Sequence, residues 1–77
     1  MEKWISYLGE KFRVRYFFDA DVRKNRINPD TGKEYSVILG DIEGIEIYDL
    51  CDNLIGRFDY IDFNNDGAIK NLISIII

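Results

Sequence analysis

A chain of 77 residues with 47% apolar content holds one small domain, short enough that folding buries only about 60% of the surface its unfolded chain exposes. Ten Lys/Arg against fourteen Asp/Glu leave a net charge of −4, histidine is absent, and a single cysteine, Cys51, permits neither an intramolecular disulfide nor a multi-cysteine zinc site. The usual near-neutral general base, the Ser/His and Cys/His nucleophile pairs and every histidine-containing metal site are thereby removed, so the composition predicts a protein that is not an enzyme.

Five Tyr, five Phe and one Trp give a core without a covalent staple. The first ten residues lack the apolar run of a signal peptide, and the apolar run at 75–77, which no other run in the chain exceeds, is far too short to cross a bilayer. Together with the lone thiol, this predicts a soluble cytoplasmic protein with no membrane partner. Charge is unevenly divided. Residues 1–33 carry eight Lys/Arg against five Asp/Glu, a net +3, whereas 34–77 carry two against nine, a net −7. Such a field repels nucleic acid and attracts a basic surface.

In chain order, Trp4, Ile5 and Leu8 stand at i, i+1 and i+4 with Gly9 as a stop, which predicts a short helix over 1–9. Residues 11–22 alternate cleanly, with Phe12, Val14, Tyr16, Phe18, Ala20 and Val22 on one face and Arg13, Arg15, Phe17, Asp19 and Asp21 on the other, a half-buried strand. A polar loop over 23–33 follows, whose Asn28-Pro29-Asp30-Thr31-Gly32 has the chemistry of a hairpin tip, so 11–39 reads as a first hairpin. Arg23, Lys24, Arg26 and Lys33 make this loop the basic patch of the chain, but without interleaved aromatics it does not read as a nucleic-acid site.

Asp41-Ile42-Glu43-Gly44 reads as a turn, and 44–77 as a three-stranded meander with turns near residues 52 and 65. Gly56 suggests a bulge in its middle strand, and the Ile-rich segment 68–77 suggests a closing strand. The predicted fold is all-β: a small antiparallel SH3-like barrel or roll of about five strands with a short N-terminal helix. The C-terminal strand is a candidate for pairing across a homodimer.

Two stretches carry candidate chemistry. Asp62-Phe63-Asn64-Asn65-Asp66-Gly67-Ala68-Ile69 matches the first eight places of an EF-hand calcium loop, with Asp62, Asn64 and Asp66 as the oxygen ligands. The ninth place is Lys70 and the twelfth is Ile73, so closure of the shell is missing, and any Ca2+ site here is weak. Asn-Asp-Gly is equally an ordinary turn. The second stretch interleaves acids with tyrosines: Glu43, Glu46, Tyr48, Asp49 and Asp52, continued by Asp59 and Tyr60. Carboxylates at strand spacing imitate a row of phosphates, and tyrosines are rigid anchors, so these seven are the candidate partner-binding residues. In size, charge and texture the chain is similar to small acidic phage inhibitors, the anti-CRISPR and other anti-defence proteins among them.

Residues 47–75, with Asp-Asn-Leu-Ile-Gly-Arg-Phe at 52–58 and Asp-Gly-Ala-Ile at 66–69, resemble the PRC-barrel repeat, in which a turn leads to an aliphatic-Gly-basic-aliphatic strand and a second hairpin. That resemblance implies a non-catalytic adaptor domain and assigns no site residues. The expectation is a protein-interaction module, a small acidic regulator or inhibitor that docks on a protein with a basic, nucleic-acid-binding type of surface. A weak calcium-binding domain and a PRC-barrel-type adaptor are the alternatives.

Overall fold

A computed structural model describes residues 1–77. Four strands, β1 (Glu2–Tyr7), β2 (Glu10–Ile27), β3 (Glu34–Tyr48) and β4 (Leu54–Asp59), form an open antiparallel sheet in the order β1-β2-β3-β4, and one helix, α1 (Asp66–Ile76), ends the chain. The fold is therefore mostly β, as the alternating patterns indicate. It is an open sheet of four strands rather than a closed barrel of five, because both ends of the chain differ from the sequence expectation.

At the N-terminus the expected helix is a strand. Lys3, Ile5 and Tyr7 turn to the covered face while Glu2, Trp4 and Ser6 stay exposed, and the partners of these residues on β2 run from Arg15 to Glu10. Leu8 (φ 50°) and Gly9 (φ 79°) make the two-residue link, the doubly left-handed conformation that suits the twist of a tight hairpin. Six alternating residues reach a partner strand two residues away, whereas a nine-residue helix would have had to stand on one turn and a half of apolar contact.

At the C-terminus the expected closing strand is α1. Ile69, Leu72, Ile73 and Ile76 recur at i, i+3, i+4 and i+7, which makes a stripe on a helix but splits between two faces of a strand. Asn65 caps the helix, its Oδ1 accepting from Ala68 N at 3.1 Å, and Asp66 places a negative charge in the first turn. Ile69 and Ile73 are fully buried, while Ile75 and Ile77 are 77% and 62% exposed. With 66–76 helical, there is no C-terminal strand to pair across a dimer.

The core lies between α1 and one face of the sheet. Ile5, Phe12, Val14, Ile45 and Ile47 come from the strands, Ile69 and Ile73 from the helix, and Phe63 from the connection between β4 and α1. Phe63 meets Tyr16 edge to face, with ring centroids 6.2 Å apart. Gly44 sits where β2, β3 and β4 meet. A Cβ there would lie 2.1 Å from the Phe58 carbonyl oxygen, so glycine is what lets β4 close on β3.

The central hairpin differs too. The predicted turn at 41–44 lies inside β3, and the loop over 23–33 shrinks to 28–33, since 23–27 pair with 34–38. Register shifts between Asp19 and Arg23, with Asp21 and Gly40 at φ 53° and 82°, bend the ribbon where it leaves the body. Beyond them β2 and β3 continue as a two-stranded arm, closed at its tip by Asn28 N to the Lys33 carbonyl at 2.9 Å and Gly32 N to the Asn28 carbonyl at 2.8 Å. The arm gives the molecule its 54 × 21 × 21 Å proportions.

Helix and strand readings of the C-terminus separate on two substitutions. Ile73→Ala is expected to cost about 2–5 kcal/mol, whereas Ile75→Ala should change stability by less than about 0.5 kcal/mol, both read by urea denaturation. A strand at 68–77 would have put both residues on one buried face and made the two losses comparable.

Candidate functional site

With α1 on one side, the other side of the sheet is bare, and pairing across the four strands fixes what stands on it. One row reads Trp4, Arg13, Tyr48 and Leu54; the next reads Glu2, Arg15, Glu46 and Arg57. The second row alternates in sign across all four strands. Opposite charges directly across a ladder favour one register, because a one-residue slip would carry the whole set to the covered face.

Arg13 of the first row and Arg57 of the second are each held by an aromatic ring and carboxylates together. The guanidinium of Arg13 lies 4.5 Å from the centre of the Tyr48 ring, with Asp52 Oδ1 at 2.6 Å and Glu2 Oε1 at 3.5 Å. Its Nε is buried without an acceptor. The guanidinium of Arg57 stacks 4.0 Å from the Phe17 ring and bonds Asp19 Oδ2 at 2.7 Å. Asp59 stands beside it at 3.9 Å. Trp4, directly opposite Arg13, is 58% exposed. The result is a surface on which Arg13 and Arg57 are held against Tyr48 and Phe17 by acids, with Trp4 exposed beside them on the sheet.

Of the seven residues singled out in the sequence, Glu46, Tyr48, Asp52 and Asp59 gather on this face. The other three lie off it. Glu43 is on the opposite side of β3 and accepts from the Tyr16 hydroxyl at 3.1 Å. Burial, then this bond and the charge of Glu43, raises the Tyr16 pKa. Asp49 is a turn residue, its Oδ1 accepting from the amides of Cys51 and Asn53, both at 2.9 Å, and its Oδ2 from Asn53 Nδ2 at 3.2 Å. Those amides, Asn53 foremost, hold its carboxyl below the usual range. Tyr60 follows β4 with φ 61° and points to solvent. The sequence puts Arg13 and Phe17 on the outer face of β2, but Trp4 and Arg57 were missed as their neighbours because the common face depends on the pairing of β1 with β2 and of β3 with β4. The signal was present in Glu2, Trp4 and Ser6 alternating with Lys3, Ile5 and Tyr7.

The calcium-like loop carries its own set of bonds. Asp62 Oδ1 accepts from Asn64 N at 2.9 Å, Asn65 caps α1, and Asp66 pairs with Lys3, whose ammonium also donates to the Phe63 carbonyl oxygen. The ammonium lies 4.5 Å from the Phe63 ring centre. The amino-terminal end of a helix further disfavours a cation. In this structure Asp62 thus closes a turn and Asp66 pairs with a lysine at the start of α1.

One shallow pocket of about 250 Å³ opens beside the β3–β4 turn, lined by Glu10, Lys11, Phe12, Asp49, Leu50 and Cys51. Of its two carboxylates, Glu10 and Asp49, the second is engaged in the turn, and the Cys51 thiol is exposed. Comparison with protein-family models, curated proteins and solved structures finds no match to this chain.

Acid should loosen the 49–53 turn. A carboxyl whose folded pKa is depressed lends stability above its unfolded value, and that contribution disappears as pH falls through the folded one. Asp49→Asn is therefore expected to lower the melting temperature at pH 7 and to flatten its fall between about pH 5 and pH 2. An unchanged acid limb in the variant would remove Asp49 from the account.

Proposed function

We propose that this chain is a non-catalytic protein-interaction module, a small regulator or inhibitor that docks by the uncovered face of its sheet on a partner protein with a basic surface. The observation that carries the reading is Trp4, 58% exposed and cross-strand from Arg13, whose guanidinium Tyr48, Asp52 and Glu2 hold in place. Trp, Tyr and Arg are the residue types that dominate binding energy at protein interfaces, and pre-fixed side chains lose little entropy on docking.

Charge argues for a protein rather than a nucleic acid as the occupant. The three arginines on this face, Arg13, Arg15 and Arg57, stand among Glu2, Glu46, Asp19, Asp52 and Asp59, so a polyphosphate meets more acids than cations. The net −7 of residues 34–77 steers a basic partner, of the kind that nucleic-acid-binding proteins present, while the alternating row selects its orientation. A PRC-barrel-type adaptor belongs to the same class of function. In this fold its aliphatic-Gly-basic-aliphatic strand corresponds to Ile55, Gly56, Arg57 and Phe58 of β4, and its second hairpin is replaced by α1. The exposed lone thiol of Cys51 suits a reducing compartment, and we place the protein in the cytoplasm.

Affinity capture from nuclease-treated lysate with two baits, the natural chain and Trp4→Ala/Tyr48→Ala, tests the reading. A basic protein retained by the first bait, released at high salt and bound about 30-fold or more weakly by the second is the expected result. Identical captures by both baits would place any interaction elsewhere.

A further inference from the structure

The open face does not account for the arm. Beyond the body, β2 and β3 pair only with each other: β1 covers β2 as far as Arg15, and β4 covers β3 only from Gly44 onward. Charge is divided between the two parts. Residues 22–40 carry Arg23, Lys24, Arg26 and Lys33 against Asp30 and Glu34, a net +2, whereas the other residues carry six Lys/Arg against twelve Asp/Glu, a net −6 within the overall −4. The molecule is an acidic body with a basic arm.

Pairing sorts the arm by face. Lys24 lies opposite Val37 and Arg26 opposite Tyr35, so these four share one face, while Asn25 and Ile27 share the other with Ser36, Ile38 and Glu34. The first face therefore holds two exposed cations, Tyr35 at 48% exposure and no acid. Lys33 adds a third cation at the tip, where its carbonyl oxygen accepts from Asn28 N at 2.9 Å. The linear sequence shows the cations of 23–33 without an aromatic, and pairing with β3 supplies one directly across from Arg26. Their charge is also uncommitted. The ion pairs of the molecule use Lys3, Arg13 and Arg57, so Lys24, Arg26 and Lys33 hold no carboxylate.

We propose that this arm binds duplex DNA without regard to sequence, Lys24, Arg26 and Lys33 contacting backbone phosphates and the Tyr35 hydroxyl donating to a phosphate oxygen. Charge selects the occupant. On the open sheet Arg13 and Arg57 carry carboxylates of their own, which suits a protein surface of mixed sign. Three unpaired cations with no acid on their face suit a ligand that is negative throughout. Shape agrees, since a two-stranded ribbon fits the major groove of B-DNA, about 12 Å wide. The acidic body is repelled by the duplex and so presents the arm first, while screening over about 8 Å at physiological salt keeps that repulsion from the distal strands. An anionic membrane is the poorer match. The exposed Ile27 and Ile38 lie on the other face, parted by Asn25 and Ser36, whose side chains meet at 3.0 Å, and Ile27 stands opposite Glu34, so they form no apolar patch to enter a bilayer. The site lies apart from the open sheet face and stands independently of the docking reading.

Titrating the isotope-labelled protein with a mixed-sequence DNA duplex of about 20 base pairs, at about 20 mM salt, should move amide resonances in 23–28 and 33–37 and leave those of β1, β4 and α1 in place. Fluorescence anisotropy of the labelled duplex should give a slope of log K against log salt of about −2.7, or about 0.9 for each of three phosphates. Lys24→Gln/Arg26→Gln should bind at least tenfold more weakly with a slope of about −0.9, whereas Lys11→Gln/Lys70→Gln, which removes the same charge from the body, should bind within about twofold of the natural chain. Lys24→Arg/Arg26→Lys should keep its affinity, which separates loss of charge from loss of fold. No shift at up to about 1 mM duplex, shifts spread equally over the body, or equal losses in the two glutamine pairs would overturn the proposal. So would an arm that responds to phosphatidylserine vesicles or to polyglutamate but not to the duplex.

Discussion

Burial of Ile69 and Ile73 against Val14, Ile45 and Ile47 is the contact on which the rest of this fold depends. Four strands in an open sheet have two faces to cover, and the chain has one amphipathic element with which to do it. Eight residues make the core, and two of them come from α1. At 77 residues there is little surplus burial, so loss of the helix contact would expose most of the apolar surface on which the sheet relies. The local features around α1 follow from that need. Asn65 caps it, Phe63 fills its approach, and Lys3 ties its first turn to β1, which is the strand farthest from it in sequence.

Covering one face decides the character of the other. An exposed sheet surface cannot be made of bare aliphatics without inviting association, and here it is built from arginines laid over Tyr48 and Phe17 with carboxylates on their far sides. The same arrangement that keeps the face soluble also holds it rigid. Exposed ion pairs of this kind add little to stability, so their physical consequence is mainly the fixed position of the side chains. The interaction reading rests on this rigidity combined with the exposure of Trp4.

Part of this was legible in the residues. Alternation over 11–22 marks β2, the Pro-Asp-Thr-Gly tip closes the arm, and the Asp-Asn turn after Tyr48 leads into β4. The ends were not legible by the same signals. Isoleucine favours strands by intrinsic preference, and the run at 75–77 draws attention to it, while the helical stripe at 69, 72, 73 and 76 needs the sheet to declare which face is buried. Trp4 and Ile5 sit side by side, so a short window fits helix or strand, and only the Leu8-Gly9 link to an already established β2 decides. Charged residues were the hardest to place. Glu46 and Asp59 share a face, but Asp49 and Glu43, close to them in sequence, are absorbed by a turn and by the hydroxyl of Tyr16. Spacing along the chain reports parity within a strand, whereas a site on a sheet is assembled across strands.

A solution NMR study of the labelled protein bears most directly on the account. It predicts helical Cα shifts through 66–76, and methyl contacts from Ile69 and Ile73 to Val14 and Ile47. The Trp4 indole should show no contact with any α1 residue. Extended shifts through 66–76 with cross-strand contacts to residues 54–59 would contradict it, since the sheet would then be covered differently and the face that carries Trp4, Arg13 and Tyr48 would no longer be the open one.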